Sequence, residues 1–219
     1  MVRAITTIVC SLLLLLSFSC SREDTGPQET IPDSGIVTFT AMTGQGETRS
    51  SQEGSFETGD AIGVFAIEPK TGVYWAVNNK YTYDGQKFKP EAEADNIIVT
   101  VGTDFDFYVY YPFKAGQTDI TGISHTAGNQ SDKPGWLSAD FMTATYTDPI
   151  RNYTVPLHFK HRMSTVEVRI DRNDGVREAT MENVRRTSRF NLLTGGITTD
   201  ESRGSCTMHK YSETGGTTV

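Results

Sequence analysis

Apolar side chains recur with a period of two along most of this chain. Between Ile36 and Met42, for example, Val37, Phe39 and Ala41 alternate with residues of the opposite face. Such alternation is typical of β-strands, because successive side chains of a strand point to opposite faces. Further strand-like runs, each bounded by turn residues, are predicted at 61–67, 73–77, 80–83, 96–101, 105–113, 119–124, 153–159, 163–170 and 176–184. Nothing of comparable strength repeats at the helical period, so the pattern predicts an all-β chain.

Turn residues divide these runs into short strands. Asp84 and Gly85 lie between two alternating segments and predict a tight hairpin over Tyr81–Phe88, because glycine and aspartate tolerate positive backbone angles. Pro112 is expected to end the strand that begins at Phe105, since proline cannot donate to a ladder. The polar, glycine-rich stretch 126–138 predicts a long loop. Short strands at intervals of roughly 8 to 12 residues favour a sandwich or a barrel.

The N-terminal segment has the features of an export signal. One charge, Arg3, precedes an uncharged stretch from Ala4 to Ser19 that contains a run of five leucines. The apolar part is shorter than the roughly 20 residues that span a membrane, so residues 1–19 are predicted to be a signal peptide. Small residues before Cys20 resemble a lipobox, which predicts that Cys20 carries lipid after cleavage. The alternative is ordinary secretion, with Cys20 as a bystander.

Residues 20–35 are rich in polar residues, glycine and proline and are predicted to be a flexible tether. Residues 36–150 suffice for one complete β-sandwich, and a polar, proline-containing stretch at 148–152 predicts a domain boundary. Residues 151–219 are too few for a second complete sandwich. They are therefore interpreted as the start of a C-terminal domain in a truncated chain.

Charge and cysteine content narrow the choice of function. The formal net charge is −7, and it becomes −8 when residues 1–19, with Arg3, are removed. An acidic chain without blocks of positive charge gives no electrostatic case for nucleic acid as a partner. Cys10 leaves with the signal and Cys20 carries lipid, so only Cys206 remains and no intramolecular disulfide is expected.

Candidate catalytic and metal-binding residues form no recognisable set. His158 and His161 are three residues apart on a predicted strand, so they point to opposite faces and cannot share an ion. His125 and His209 lack neighbouring ligands at zinc spacing. No nucleophile elbow or phosphate-binding loop occurs, so neither an enzyme nor a cofactor is predicted. Trp136, in the glycine-rich stretch, is a possible platform for a sugar or another ligand, although core packing is an alternative role for the aromatic residues.

Four segments occur in the order seen in fimbrillin-like proteins of Bacteroides-type bacteria: 55–66, 108–113, 139–144 and 155–166. Together with the lipobox, they make the chain similar to the fimbrillin family of fimbrial lipoproteins. The resemblance implies transthyretin-like Greek-key β-sandwich domains and a lipid anchor in the outer membrane. It also implies partners, because family subunits assemble into a fimbria, or pilus, when one subunit accepts a strand from the next.

The resemblance implies a maturation site as well. Family subunits are cut by a trypsin-like protease after an arginine near the first strand, and Arg49 is the matching residue here. The alternative role of Arg49 is that of an ordinary exposed arginine. The predicted function is therefore a structural or adhesive fimbrial subunit at the cell surface. The alternative is a monomeric outer-membrane lipoprotein that binds a glycan or a host ligand through loops such as the one around Trp136.

Overall fold

The structure is a computed structural model that describes residues 34–43, 56–170, 178–213 and 216–218. These residues form one short helix, α1 (Lys133–Ser138), one 3-10 turn (Glu93–Asp95), and seventeen strands. The strands are β1 (Ser34–Ile36), β2 (Thr38–Thr43), β3 (Ala61–Ile67), β4 (Tyr74–Tyr83), β5 (Phe88–Pro90), β6 (Ile98–Thr100), β7 (Asp106–Tyr111), β8 (Ile123–Thr126), β9 (Met142–Tyr146), β10 (Thr154–His161), β11 (Arg169–Ile170), β12 (Thr180–Arg185), β13 (Thr187–Phe190), β14 (Ile197–Thr199), β15 (Arg203–Thr207), β16 (Tyr211–Glu213) and β17 (Gly216–Thr218). The predicted all-β class is confirmed.

Seven strands form a sheet that closes on itself in the order β10-β2-β5-β4-β3-β7-β9. All neighbours in it are antiparallel except β2 and β10, which are parallel. The apolar face that the alternation predicts points into this closed sheet, where Val37, Phe39, Val64, Phe107 and Leu157 are among the buried residues. In a sandwich, the faces of two sheets pack together. Here the two packed faces belong to opposite walls of one closed sheet.

A second apolar cluster covers the outer side of β3 and β7. Phe65 and Tyr110 point outward from these strands and pack with Ile123 of β8, Phe141 and Phe190 of β13. The strands β14, β13 and β8 form the sheet that lies over this wall. Because both faces of β3 are covered, its five central residues are all buried, as expected for a strand that reads as a continuous apolar run.

The predicted hairpin over residues 81–88 is confirmed, and its loop is longer than the tight turn that Asp84 and Gly85 predict. Tyr83 is the last residue of β4 to pair, and it pairs with Phe88, so Asp84–Lys87 form a four-residue loop. Only Gly85 in this loop has a positive φ, 99°. The Asp84 carboxylate accepts hydrogen bonds from the backbone N–H groups of Gln86 and Lys87, which stabilises the longer loop.

Two other predicted segments differ from the structure. Most of the strand predicted at 163–170 is absent, since only Arg169–Ile170 are extended in a ladder, and Val166 and Val168 are exposed. Alternation there does not coincide with a buried face. The stretch predicted as a loop at 126–138 contains α1, whose N-cap Asp132 accepts a hydrogen bond from the N–H of Gly135 at 2.7 Å.

The closed sheet extends across the predicted domain boundary at residue 150. β10 begins at Thr154 and completes the sheet by pairing with β2. If the chain has two domains, the first therefore includes β10, and any boundary lies after His161. The first described strand begins at Ser34, two residues before the predicted start of the sandwich at residue 36. The division into tether and two domains otherwise stays a prediction.

Candidate functional site

The candidate site is the place in the closed sheet that the first two strands occupy. Residues 34–43, here called the N-terminal arm, comprise β1 and β2. β1 pairs antiparallel with β6 outside the closed sheet, and β2 then lies between β10 and β5 within it. A segment from the beginning of the described chain thus fills the gap between a late strand and an early hairpin.

Hydrogen bonds hold the arm mainly to β10. Six consecutive residues of β2, Thr38 to Thr43, are in register with Thr154 to Phe159. The Thr38 N–H donates to the Tyr153 carbonyl at 2.7 Å, and the Thr38 hydroxyl donates to the same carbonyl at 3.2 Å. On the other side, β2 has a single register pair with β5, Phe39 with Phe88. The arm is therefore bonded strongly at one edge and weakly at the other.

The buried side chains of the arm are Val37 and Phe39, both with no exposed surface. The Phe39 ring packs edge-on against Tyr81, with centroids 5.1 Å apart, and against Phe107, with centroids 5.3 Å apart. Burial raises the pKa of the Tyr81 phenol, whose oxygen accepts a hydrogen bond from the Ile97 N–H at 3.3 Å. The pocket around Phe39 is therefore dry and lined with aromatic rings.

Gly35 is a close contact point between the arm and the rest of the chain. A Cβ atom at this position would lie 2.8 Å from Cδ2 of the Tyr153 ring, closer than side chains tolerate. Tyr153 thus touches the arm twice, with its ring at Gly35 and with its carbonyl at Thr38. The glycine permits this approach, since a Cβ atom here would force the Tyr153 ring or the arm to shift.

β10 depends on the arm for its pairing. In the described strands, residues 154–159 of β10 pair only with β2, and the ladder with β9 begins at Lys160. Val155, Leu157 and Phe159 point inward and are buried. Removal of the arm would therefore leave most of β10 without a strand on either side, next to an uncovered part of the core.

Neither Cys20 nor Arg49, the predicted lipidation and cleavage residues, lies within the described residues. Arg49 is six residues beyond the end of β2 at Thr43. The arm lies between the two predicted residues in sequence. Lipidation at Cys20 and cleavage at Arg49 stay predictions.

Trp136, the predicted ligand platform, is half-buried on α1. Its ring stacks on the ring of His209 with centroids 6.0 Å apart. A different tryptophan is more accessible: Trp75 of β4 is 57% exposed and contacts Phe105 edge-on. The role of Trp136 as a platform stays a prediction, and accessibility by itself favours Trp75.

Three of the four histidines, His125, His161 and His209, contact other groups of the fold through a hydrogen bond or ring stacking. His161 Nδ1 lies 2.8 Å from the buried Asp140 carboxylate, and His158 is exposed on the opposite face of β10, as the alternation predicts. His125 Nε2 lies 3.0 Å from the Ala139 carbonyl. Burial lowers the pKa of His125.

Among the residues that the structure describes, no three His, Cys, Asp or Glu side chains are grouped to hold a metal ion. In the same residues, no helix is long and apolar enough to cross a membrane.

The parts of the site were predictable to different degrees. The inward face of the arm, with Val37 and Phe39, follows directly from the alternation between Ile36 and Met42. The partners Tyr153 and Phe88 do not, because pairing between segments about 50 to 115 residues apart leaves no local signal. The parallel direction of β2 and β10 is equally invisible in the sequence.

Comparisons with known proteins agree with this architecture. The sequence profile of the fimbrillin-like family matches residues 48–219, which is most of the chain. The match reaches the end of the sequence, further than the four motifs 55–66, 108–113, 139–144 and 155–166 extend. No curated protein is significantly similar to the chain.

Two solved structures share the fold at low identity. One is a candidate cell adhesion protein from Bacteroides ovatus ATCC 8483, with a TM-score of 0.61 and 20% identity over 84% of this chain and 76% of that chain. The other is a candidate cell adhesion protein from Bacteroides uniformis ATCC 8492, with a TM-score of 0.56 and 20% identity over 84% of this chain and 73% of that chain. At this identity, the similarity establishes the fold alone.

Proposed function

Because the chain belongs to the fimbrillin-like family, we propose that it is a structural or adhesive subunit of surface fimbriae that assembles by exchange of a β-strand. The observation that carries the proposal is the position of the N-terminal arm between β10 and β5. The arm fills a groove and buries two side chains in it. Strand pairing with β10 and β5 holds it there. A strand from another subunit could satisfy the same edges.

Cleavage after Arg49 would change the linkage of the arm without breaking any of its contacts. Before cleavage, the arm binds the groove as part of the same chain, at an effective concentration in the range of millimolar. After cleavage, it is a separate fragment that can be diluted away. The groove then becomes available to a strand from the next subunit.

Export and anchoring fit the same proposal. Acyl chains on Cys20 would hold the precursor at the outer membrane, and the arm lies on the Cys20 side of Arg49. Loss of the arm would therefore remove the lipid anchor at the same time. The subunit would act without a catalytic group or a cofactor, and its partners would be other subunits and, through an exposed surface, host or bacterial ligands.

A second candidate is a monomeric surface lipoprotein that binds a glycan. The specific observation in its favour is the exposed ring of Trp75, because a flat aromatic surface can stack on a sugar. Glycan-array binding that is lost in Trp75→Ala or Trp136→Ala, in a protein that never polymerises, would favour this alternative.

The test of strand exchange uses the lipidated precursor and an arginine-specific protease. We expect a new N-terminus at Ser50, loss of the fragment that ends at Arg49, and growth of polymers measured by light scattering and electron microscopy. The matched control is Arg49→Lys, which keeps the positive charge but is not a substrate for such a protease. A precursor that is cut at Ser50 and stays monomeric under assembly conditions would overturn the proposal.

A further inference from the structure

We infer that the groove accepts strands selectively, and that it requires an aromatic residue at the Phe39 position, preceded by a hydroxyl residue and a fully apolar one, in a strand that runs parallel to β10. This inference rests on the proposed function, since it specifies the chemistry of the strand that replaces the arm. It follows from the contacts of three consecutive residues, Val37, Thr38 and Phe39.

The Phe39 position has a shape that only a flat ring matches. Tyr81 and Phe107 meet the Phe39 ring at interplanar angles of 67° and 78°. Two aromatic rings therefore line the pocket, each steeply inclined to the plane of the Phe39 ring. Phe88 lies opposite in the register of β5 and is itself fully buried. A smaller aliphatic residue would leave a cavity between these rings, and a polar residue would be left without a partner.

The Thr38 position selects by hydrogen bonding. Its hydroxyl lies 3.1 Å from the Thr154 hydroxyl and donates to the Tyr153 carbonyl. A serine or threonine at this position reproduces both contacts, whereas an aliphatic residue leaves the Thr154 hydroxyl without this partner. The third position, Val37, is fully buried, and its N–H donates to the Ile97 carbonyl at 2.9 Å.

The direction of the incoming strand follows from the groove edge of β10. The bond from the Thr38 N–H to the Tyr153 carbonyl implies, for a parallel ladder, that Val155 and every second residue after it present N–H groups to the groove. Pro156, which has no N–H, then lies at a position that does not bond to β2. The groove edge of β10 is therefore complete for a parallel partner, and proline does not interrupt it.

The experiment uses the full chain with a protease site inserted between residues 44 and 55, so that nicking does not depend on Arg49. Labelled synthetic peptides of the sequence 34–43 are added in excess, and their entry is followed by fluorescence anisotropy and native mass spectrometry. The peptides carry the natural sequence, Phe39→Ala, Thr38→Val, or Thr40→Val. Thr40 is the control, since it follows Phe39 and points to the other face.

We expect the natural and Thr40→Val peptides to bind alike within about threefold, and the Phe39→Ala peptide to bind at least about 30-fold more weakly. Thr38→Val should lose about three- to tenfold. Equal binding of all four peptides would overturn the inference of selectivity and leave strand exchange standing. Failure of the natural peptide to displace the nicked arm, even when the arm is itself weakened by Phe39→Ala, would overturn both the exchange and the selectivity.

Discussion

Truncation of Phe39 is the most direct test of how the arm is held. Phe39→Ala removes a ring that has no exposed surface and makes two edge-on aromatic contacts, with Tyr81 and Phe107. Phe→Ala substitutions in protein cores cost about 3 to 5 kcal/mol, through lost transfer energy and the cavity that remains. Edge-on pairs contribute beyond burial, which favours the upper part of that range. The expected loss in the free energy of unfolding is therefore about 4 to 5 kcal/mol.

The assay is urea unfolding of the uncut chain, followed by circular dichroism and by tryptophan fluorescence. Two variants calibrate it. Phe39→Leu keeps the apolar character but loses the flat ring, so it should lose an intermediate amount, about 2 kcal/mol. Trp75→Ala removes a larger ring that is 57% exposed and should stay within about 1 kcal/mol of the natural chain. A loss from Phe39→Ala no larger than that from Trp75→Ala would refute the claim that the groove is a tight, dry pocket.

The same variant has a second consequence if the arm is the exchanged strand. After nicking between residues 44 and 55, the arm that carries Phe39→Ala should leave the groove faster than the natural arm, because the lost contacts act mainly on dissociation. Fragment release on dilution measures this rate directly. A destabilised but equally slow arm would mean that Phe39 supports the closed sheet without controlling exchange.

Three further predictions concern one contact of the arm, at Gly35, and two polar groups elsewhere in the fold. Gly35→Val should destabilise the uncut chain by about 1 to 3 kcal/mol in urea unfolding, because its Cβ would lie 2.8 Å from the Tyr153 ring. Asp140→Ala should lower the free energy of unfolding by about 3 kcal/mol, since it leaves His161 without its buried carboxylate partner at 2.8 Å. The double variant Asp140→Ala, His161→Ala should lose less than the sum of the two single substitutions. Burial holds the pKa of His125 below its unfolded value, so the unfolded chain takes up the proton more readily. The free energy of unfolding should therefore fall as the pH drops from about 6.5. His125→Gln should make this fall, measured as the urea midpoint against pH, smaller.

The sequence was most informative where the apolar residues of a strand lie against a core. The run Ala61–Ile67 was predicted with the bounds it has in the structure, and the inward residues of β2 follow from simple alternation. In both places, local pattern and global fold agree, because the closed sheet buries one continuous apolar row. Where side chains alternate but no core lies beneath them, as at Val166 and Val168, the same rule fails.

Long-range arrangement was the part that local patterns could not supply. Nothing near Phe65 or Tyr110 indicates that their outward side chains are covered by Phe190, more than 75 residues away. The strands that provide this cover, β8 and β13, are short and have polar residues on their other face. The helix α1 has a local signal, an N-cap at Asp132 with Pro134 in the first turn, but the glycine and polar residues around it favour a loop.

The pairing of β10 gives the strand-exchange proposal its sharpest physical constraint. An empty groove would leave residues 154–159 of β10 unpaired and the ring pocket of Phe39 open to water, so a subunit without an arm is a poor resting state. If exchange takes place, departure of the arm and entry of the next strand must therefore be closely coupled. The weak edge of β2, with its single register pair to β5, is then the side at which an incoming strand can begin to pair while β10 still holds the old one.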